Sequence, residues 1–164
     1  MTTARAARYG RRVARGVQLE TVAAFAAGLP GVAVGARWDN RTWLVGDHGF
    51  AWQRPLSKAD VKRFGDEALP KGDLLAVITD GLDGKDALLA MELPGFFTIP
   101  HFNGFPAVLI ELGRARIADV RAAVADAHRI AAARPPKKAK PKRAKAARKP
   151  SAKPLKAVKR TRRA

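Results

Sequence analysis

The stretch Phe96 to Leu112, FFTIPHFNGFPAVLIEL, constrains the fold of this chain more than any other. It opens on an apolar extended run, Phe96-Phe97-Thr98-Ile99, which Pro100 ends because proline lacks the N–H that a strand ladder needs. Asn103-Gly104 supplies the positive-φ residues of a tight reversal. Ala107 to Leu112 is short, apolar and partly β-branched, which reads as a buried strand. Two strands around a Pro-His-Phe-Asn-Gly-Phe-Pro loop are expected at the centre of a sheet. Helices on either side need that sheet to bury their apolar faces.

The flanking sequence supplies those helices. Leu19, Val22, Ala23, Ala26 and Leu29 fall at helical spacing, and Gly28 and Pro30 supply the stop. Val32 to Trp38, Thr42 to Val45 and Phe50 to Arg54 read as an antiparallel meander. Its turns are expected at Asp39-Asn40 and at Gly46 to Gly49, and it places Trp38, Trp43 and Trp52 on successive strands. Ser57 is a good N-cap for a short helix to Phe64, with Asp60 three residues on. Asp73 to Thr79 reads as a strand, and Asp83 as the cap of a helix through Met91. Ile117 to Ala132 carries one apolar stripe and ends before Pro135-Pro136. The fold class expected is α/β of the α+β kind: an antiparallel sheet flanked by N- and C-terminal helices.

The run Phe96 to Glu111, with Pro100-His101-Phe102-Asn103-Gly104-Phe105-Pro106 and then Val108-Leu109, resembles the signature of the MmcQ/YjbR family. Thr21-Val22 through Leu29-Pro30-Gly31-Val32 resembles that family's opening helix and Leu-Pro turn. Phe50 to Leu56 and Ala87 to Ala90 also have counterparts, so the resemblance spans Gln18 to Ile130. It implies a frataxin-like or double-wing sheet, and a DNA-binding role through strands or wings. The family often carries tryptophan where this chain has His128, which implies a less hydrophobic end to the last helix.

Charge divides the chain into three. Of 32 Lys and Arg, five lie in residues 1–16 and fifteen in residues 134–164, and neither segment holds an acid. Residues 17–133 hold the other twelve bases and all fourteen acids, so the net charge of +18 belongs to the ends. The domains expected are a disordered Arg-rich arm (1–16), an MmcQ/YjbR-like domain (17–133) and a disordered Lys/Ala/Pro-rich tail (134–164). Arg11-Arg12 ahead of the apolar run Val22 to Leu29 mimics an export signal, but Glu20 beside the run and Pro30-Gly31 cutting it short favour an uncleaved arm. No apolar run reaches the roughly 18–20 residues that span a bilayer. The chain has no cysteine, which excludes disulfides, a thiol nucleophile and cysteine-ligated metal.

The tail is the strongest functional signal. Lys137, Lys138, Lys140, Lys142, Arg143, Lys145, Arg148, Lys149, Lys153, Lys156, Lys159, Arg160, Arg162 and Arg163 present closely spaced charge that proline keeps extended. Each base seated on a phosphate releases condensed counterions, so affinity follows charge density and needs no fold. Its texture resembles the tails of linker histones and of some HU-type nucleoid proteins. Arg5, Arg8, Arg11, Arg12 and Arg15 form an arm of the sort that lies in a minor groove. The tail has no aromatic residue to stack on bases, which favours duplex DNA over single strands. A solubilising tail, or one aimed at RNA or anionic lipid, is the alternative.

Within the domain, Arg37, Arg41, Arg54, Lys58, Lys62 and Arg63 form either a phosphate-binding face or ordinary surface charge balanced by Asp39, Asp60, Asp66 and Glu67. His101 beside Phe102 invites a catalytic reading, but no carboxylate, serine or second histidine stands at a spacing that orients it. A ring nitrogen bonded to a backbone carbonyl explains it better. Asp80, Asp83 and Asp86 repeat at three, not at the alternating spacing of a calcium loop, and read as turn and cap residues. No catalytic constellation, cofactor motif or metal-ligand set stands out, and the tryptophans read as core packing. The expectation is a non-enzymatic, largely sequence-nonspecific DNA-binding protein of the cytoplasm and nucleoid, with no cofactor. The alternative is a small-molecule or protein site in a groove around His101, Phe102, Trp38 and Trp52, with the tail only localising it.

Overall fold

The computed structural model describes residues 16–136. In chain order the elements are α1 (Leu19–Ala27), β1 (Val32–Arg37), β2 (Asn40–Val45), β3 (His48–Gln53), α2 (Lys58–Phe64), β4 (Leu74–Ile78), α3 (Gly81–Ala90), β5 (Phe96–Phe97), β6 (Ala107–Glu111) and α4 (Ile117–Ala132). The fold is mixed α+β, with one six-stranded sheet in the order β1-β2-β3-β4-β6-β5, antiparallel throughout.

β4 and β6 pair along their full lengths, from Leu74 opposite Glu111 to Ile78 opposite Ala107, and every residue of both is buried. Strands buried on both faces read as continuous apolar runs, which is why LLAVI and AVLIE show no alternation. α1 and α4 cover one face, setting Val22, Ala26, Val120, Val124 and Ala127 against Trp43, Phe50, Leu75, Val77 and Ile110. On the other face Ile99 and Phe102 close over Ala76, Ala107 and Leu109, with Leu56, Phe64, Phe97 and Trp52 at the margin. Burying one such large apolar side chain contributes about 1.5–3 kcal/mol.

The hairpin expected at the centre of the sheet lies at its edge. β5 has two residues and forms the outer strand, while β3 and β4 take the centre. The cause is Ile99, 2% exposed, which leaves the ladder to join the second core. Pro100–Phe102 then forms one turn of 3₁₀ helix. Asn103 stays at φ −59° and only Gly104 turns positive, at +72°, so the reversal is a type II turn with one positive-φ residue.

Three boundaries move. The first hairpin turns at Trp38-Asp39 (φ +48° and +62°), with Arg37 opposite Asn40, so Trp38 leaves the strand assigned to it. A bulge in β3 sends Phe50 and Ala51 both into the helix-covered core. α3 begins at Gly81, so Asp83 lies in its first turn, and Asp80 holds the cap position without a side-chain cap bond. The expected Ser57 cap of α2 is present.

Gly95 ties β5 to the start of α4. It sits at φ +85°, where a Cβ would lie 2.6 Å from the Glu111 carbonyl oxygen and 3.0 Å from the Ala115 nitrogen. Gly95→Ala is expected to cost on the order of 2–3 kcal/mol, read as a lower urea midpoint. An unchanged midpoint would contradict this closure.

Candidate functional site

Five arginines of the domain, Arg41, Arg54, Arg63, Arg114 and Arg129, are ion-paired with its own acids. The side-chain hydroxyl of Ser57 accepts from the Asp60 backbone N–H at 3.1 Å, and Asp60 accepts in return from the Ser57 N–H at 3.0 Å and its hydroxyl at 2.7 Å. Arg54 donates to the same carboxylate at 2.8 Å, and Arg63 approaches it at 3.6 Å. Burial alone would raise the Asp60 pKa, but the Ser57 hydrogen bonds and the Arg54 guanidinium outweigh it and hold the group at about 2. Arg41 pairs with Glu20 across the sheet and α1 at 2.9 Å. Of the six bases proposed for a phosphate face, Arg41, Arg54 and Arg63 are therefore engaged within the domain. Asp60 is the one acid of the expected balancing set that pairs with them among the described residues, and Glu20 is a partner that the sequence did not single out.

The histidines exchange roles. His101 is exposed, and its ring has no hydrogen-bond partner among the described residues. The carbonyl bond expected of it belongs to His48, with the Pro135 oxygen at 2.9 Å, and to His128, with the Pro30 oxygen at 2.8 Å. His128 also meets Phe50 edge to face at 5.3 Å, so the helix end keeps its packing without a tryptophan. The 3₁₀ turn explains the reversal, because it aims Phe102 into the core and leaves His101 outside.

A lysine that sequence reasoning missed holds this loop. Lys85 of α3 is buried, and its ammonium donates to the Phe102 carbonyl at 2.6 Å and lies 3.4 Å from the Phe105 carbonyl. Burial pushes its pKa below the usual lysine value, against the opposing pull of Asp86. The only signal for it was a lone base on the inner side of a short helix. Above the loop, Phe102 lies 6.3 Å from Trp52 and 5.7 Å from Phe105, and Arg54 lies 5.8 Å over the Phe102 ring.

The groove expected around His101, Phe102, Trp38 and Trp52 divides. Neither the buried Phe102 nor the exposed His101 lines the cleft that forms. Trp38 and Trp52 do meet, in a cleft of about 160 Å³ that Arg37, Phe105 and Arg134 complete. Trp43 is core, as expected, but Trp38 is 81% exposed and is not core packing. The cleft is lined by two arginines and no carboxylate. Two larger clefts carry acids: Asp80, Asp119 and Asp126 between α3 and α4, and Glu92 and Glu111 beside β5.

The arm residues Arg5 to Arg15 and the tail residues Lys137 to Arg163 lie outside the described residues. Among the described residues there is no group of three or more His, Asp or Glu side chains placed to hold a metal ion, and no helix is long and apolar enough to cross a membrane.

Two outcomes follow from this geometry. A carboxylate held at about 2 against 3.8 stabilises the fold by about 2 kcal/mol. That stabilisation is complete above pH 5 and fades as pH falls through 3.8 toward 2. Asp60→Asn should remove it, so the urea midpoints of wild type and variant differ at pH 7 and converge near pH 2. A pH-independent gap would contradict the assignment. Lys85→Met should cost about 2 kcal/mol and speed amide exchange in residues 102–105; unchanged exchange there would contradict the clamp.

No protein-family model matches the chain, and no solved structure matches it. Uncharacterized protein Rv2570 of Mycobacterium tuberculosis and uncharacterized protein Mb2600 of Mycobacterium bovis are each 39% identical to it over 111 residues, covering 66% of this chain and 83% of the relative. With that identity over most of their length, the chain belongs to the family of these mycobacterial proteins.

Proposed function

We propose that this protein is a non-enzymatic, largely sequence-nonspecific DNA-binding protein, associated with the nucleoid of the cytoplasm, whose basic ends neutralise backbone phosphates. The observation that carries this is the separation of charge. Residues 1–15 and 137–164 hold nineteen bases and no acid, while Arg41, Arg54 and Arg63 of the domain are paired with Glu20 and Asp60. A domain with twelve bases against fourteen acids, and five of those bases paired within it, has little net charge to give to phosphate, whereas the ends have nothing else in their sequence to neutralise them. The antiparallel sheet and its Pro-His-Phe-Asn-Gly-Phe-Pro loop are compatible with an MmcQ/YjbR-like domain, which on this reading positions the ends and supplies local contacts. The alternative centred on His101 has less support, because that residue stands outside the cleft.

Binding of random-sequence duplex DNA at several salt concentrations tests the proposal. With ten bases on phosphates, log K should fall with log salt at a slope of about −9. Replacing the Lys and Arg of residues 137–163 by Gln should flatten that slope and weaken binding by roughly 100-fold or more near 0.1 M salt. A slope near −2 for the full chain, or a Gln variant that binds as tightly as wild type, would overturn it. Equal titrations against duplex RNA read out the preference for DNA.

A further inference from the structure

We infer that the cleft between the β1–β2 hairpin tip and the Phe102–Phe105 loop takes one unstacked nucleobase from a DNA strand. The inference rests on the DNA-binding reading above and adds a base-sized site to it.

Size, walls and charge agree on the occupant. About 160 Å³ accommodates a single flat ring system, well below the several hundred cubic ångströms typical of drug-sized ligands. Trp38 at 81% exposure and Phe105 at 46% present ring surface to solvent, with Trp52 half-buried behind them. Aromatic faces of this kind stack bases without regard to sequence, because every base has a π-face. Arg37 and Arg134 at the rim suit the phosphates on either side of a seated base. The clefts beside α3 and β5 set carboxylates among their bases, Asp80, Asp119 and Asp126 in one and Glu92 and Glu111 in the other, so neither offers an acid-free lining. Arg134 is also the first of the fifteen bases that run to the end of the chain, so a strand held by the tail is delivered to the cleft.

The hairpin tip supplies an independent argument. Trp38 is held at φ +48° in a two-residue turn, where Asn or Gly sits without strain and a bulky side chain does not. The Asn40 side chain donates to the Trp38 carbonyl at 2.9 Å. Burial of the indole does not offset the strain, since most of the ring faces water, while Trp43, the fourth residue of β2, is 1% exposed. A strained and uncovered indole beside an arginine fits an external aromatic partner. The opposite wall is already fixed: Trp52 and Phe105 meet at 6.3 Å and 75°, and Lys85 holds the backbone carbonyls below them. A wall ordered in advance loses little entropy when a base arrives.

The test compares two duplexes of one length and sequence, one fully paired and one with a single unpaired base, against the full chain and its Trp38→Asn variant. The duplex with the unpaired base should bind roughly tenfold tighter to the wild type, the fold-change that stacking one base supplies. It should also shield tryptophan fluorescence from iodide, with Trp38 the most exposed indole of the three. Trp38→Asn should erase both effects, leave affinity for the paired duplex within about twofold, and raise the melting temperature by relieving the turn. Equal affinity of the wild type for the two duplexes overturns the inference, as does a preference that survives Trp38→Asn. An equal loss on both duplexes overturns it too, since it would make Trp38 a contact to paired DNA. Failure to bind either duplex sinks the DNA-binding reading first, and the inference with it.

Discussion

The antiparallel pairing of β4 with β6 is the constraint on which the rest depends. Neither strand has a face for water, so the chain must supply two apolar covers. One is regular, α1 and α4 laid across the sheet. The other is improvised from a 3₁₀ turn, a short helix and the loop that carries Phe102. That second cover needs fastening, and two charge-assisted devices provide it. Lys85 grips the loop by its carbonyls, and Arg54 bridges the Phe102 ring to the Asp60 cap of α2. The cleft beside Trp38 lies between Phe105 of this cover and the β1–β2 hairpin, with Arg134, just past α4, also in its lining.

Charge is divided unevenly between the domain and the two ends of the chain. The domain uses Arg41, Arg54 and Arg63 to bind itself together, which removes them from service toward a polyanion. The excess of positive charge lies outside the described residues, in sequence that contains no acid. The site proposed for a base lies where the two regimes meet, at Arg134, and its lining has no acid of its own. On the proposed reading, the ends supply affinity and the cleft senses whether a base is stacked.

Much of the fold was legible because it rests on local rules. The spacing of Ile117, Val120, Val124 and Ala127 gave α4 its bounds, and Ser57 with Asp60 marked the start of α2 through a capping box. The apolar runs in Asp73 to Thr79 and Ala107 to Leu112 declared themselves as strands, the second as a buried one. What failed depends on contacts between distant residues. Nothing local says that Ile99 leaves the ladder to cover Ala76, so β5 was read as a central strand. Nothing local says that a bulge spends two residues, Phe50 and Ala51, on one face. Asp39-Asn40 has better turn chemistry than Trp38-Asp39, and the register of β1 against β2 overrode it. The site suffered most from that slip of one residue, which moved Trp38 from a strand to an exposed tip. The same limit hid Lys85 and misassigned His101, since both depend on how one turn of 3₁₀ helix orients its side chains.

Photochemical crosslinking of the full chain to a duplex containing one unpaired base, with the attached peptides mapped by mass spectrometry, tests the central claim most directly. The account predicts adducts within residues 137–164 and at Trp38 or Phe105, with the latter restricted to the unpaired base. Adducts concentrated instead on α2 and its neighbours, at Lys58 and Lys62, with none in the tail, would contradict it. The folded face would then be the DNA-binding device, and the separation of charge would have no part in recognition.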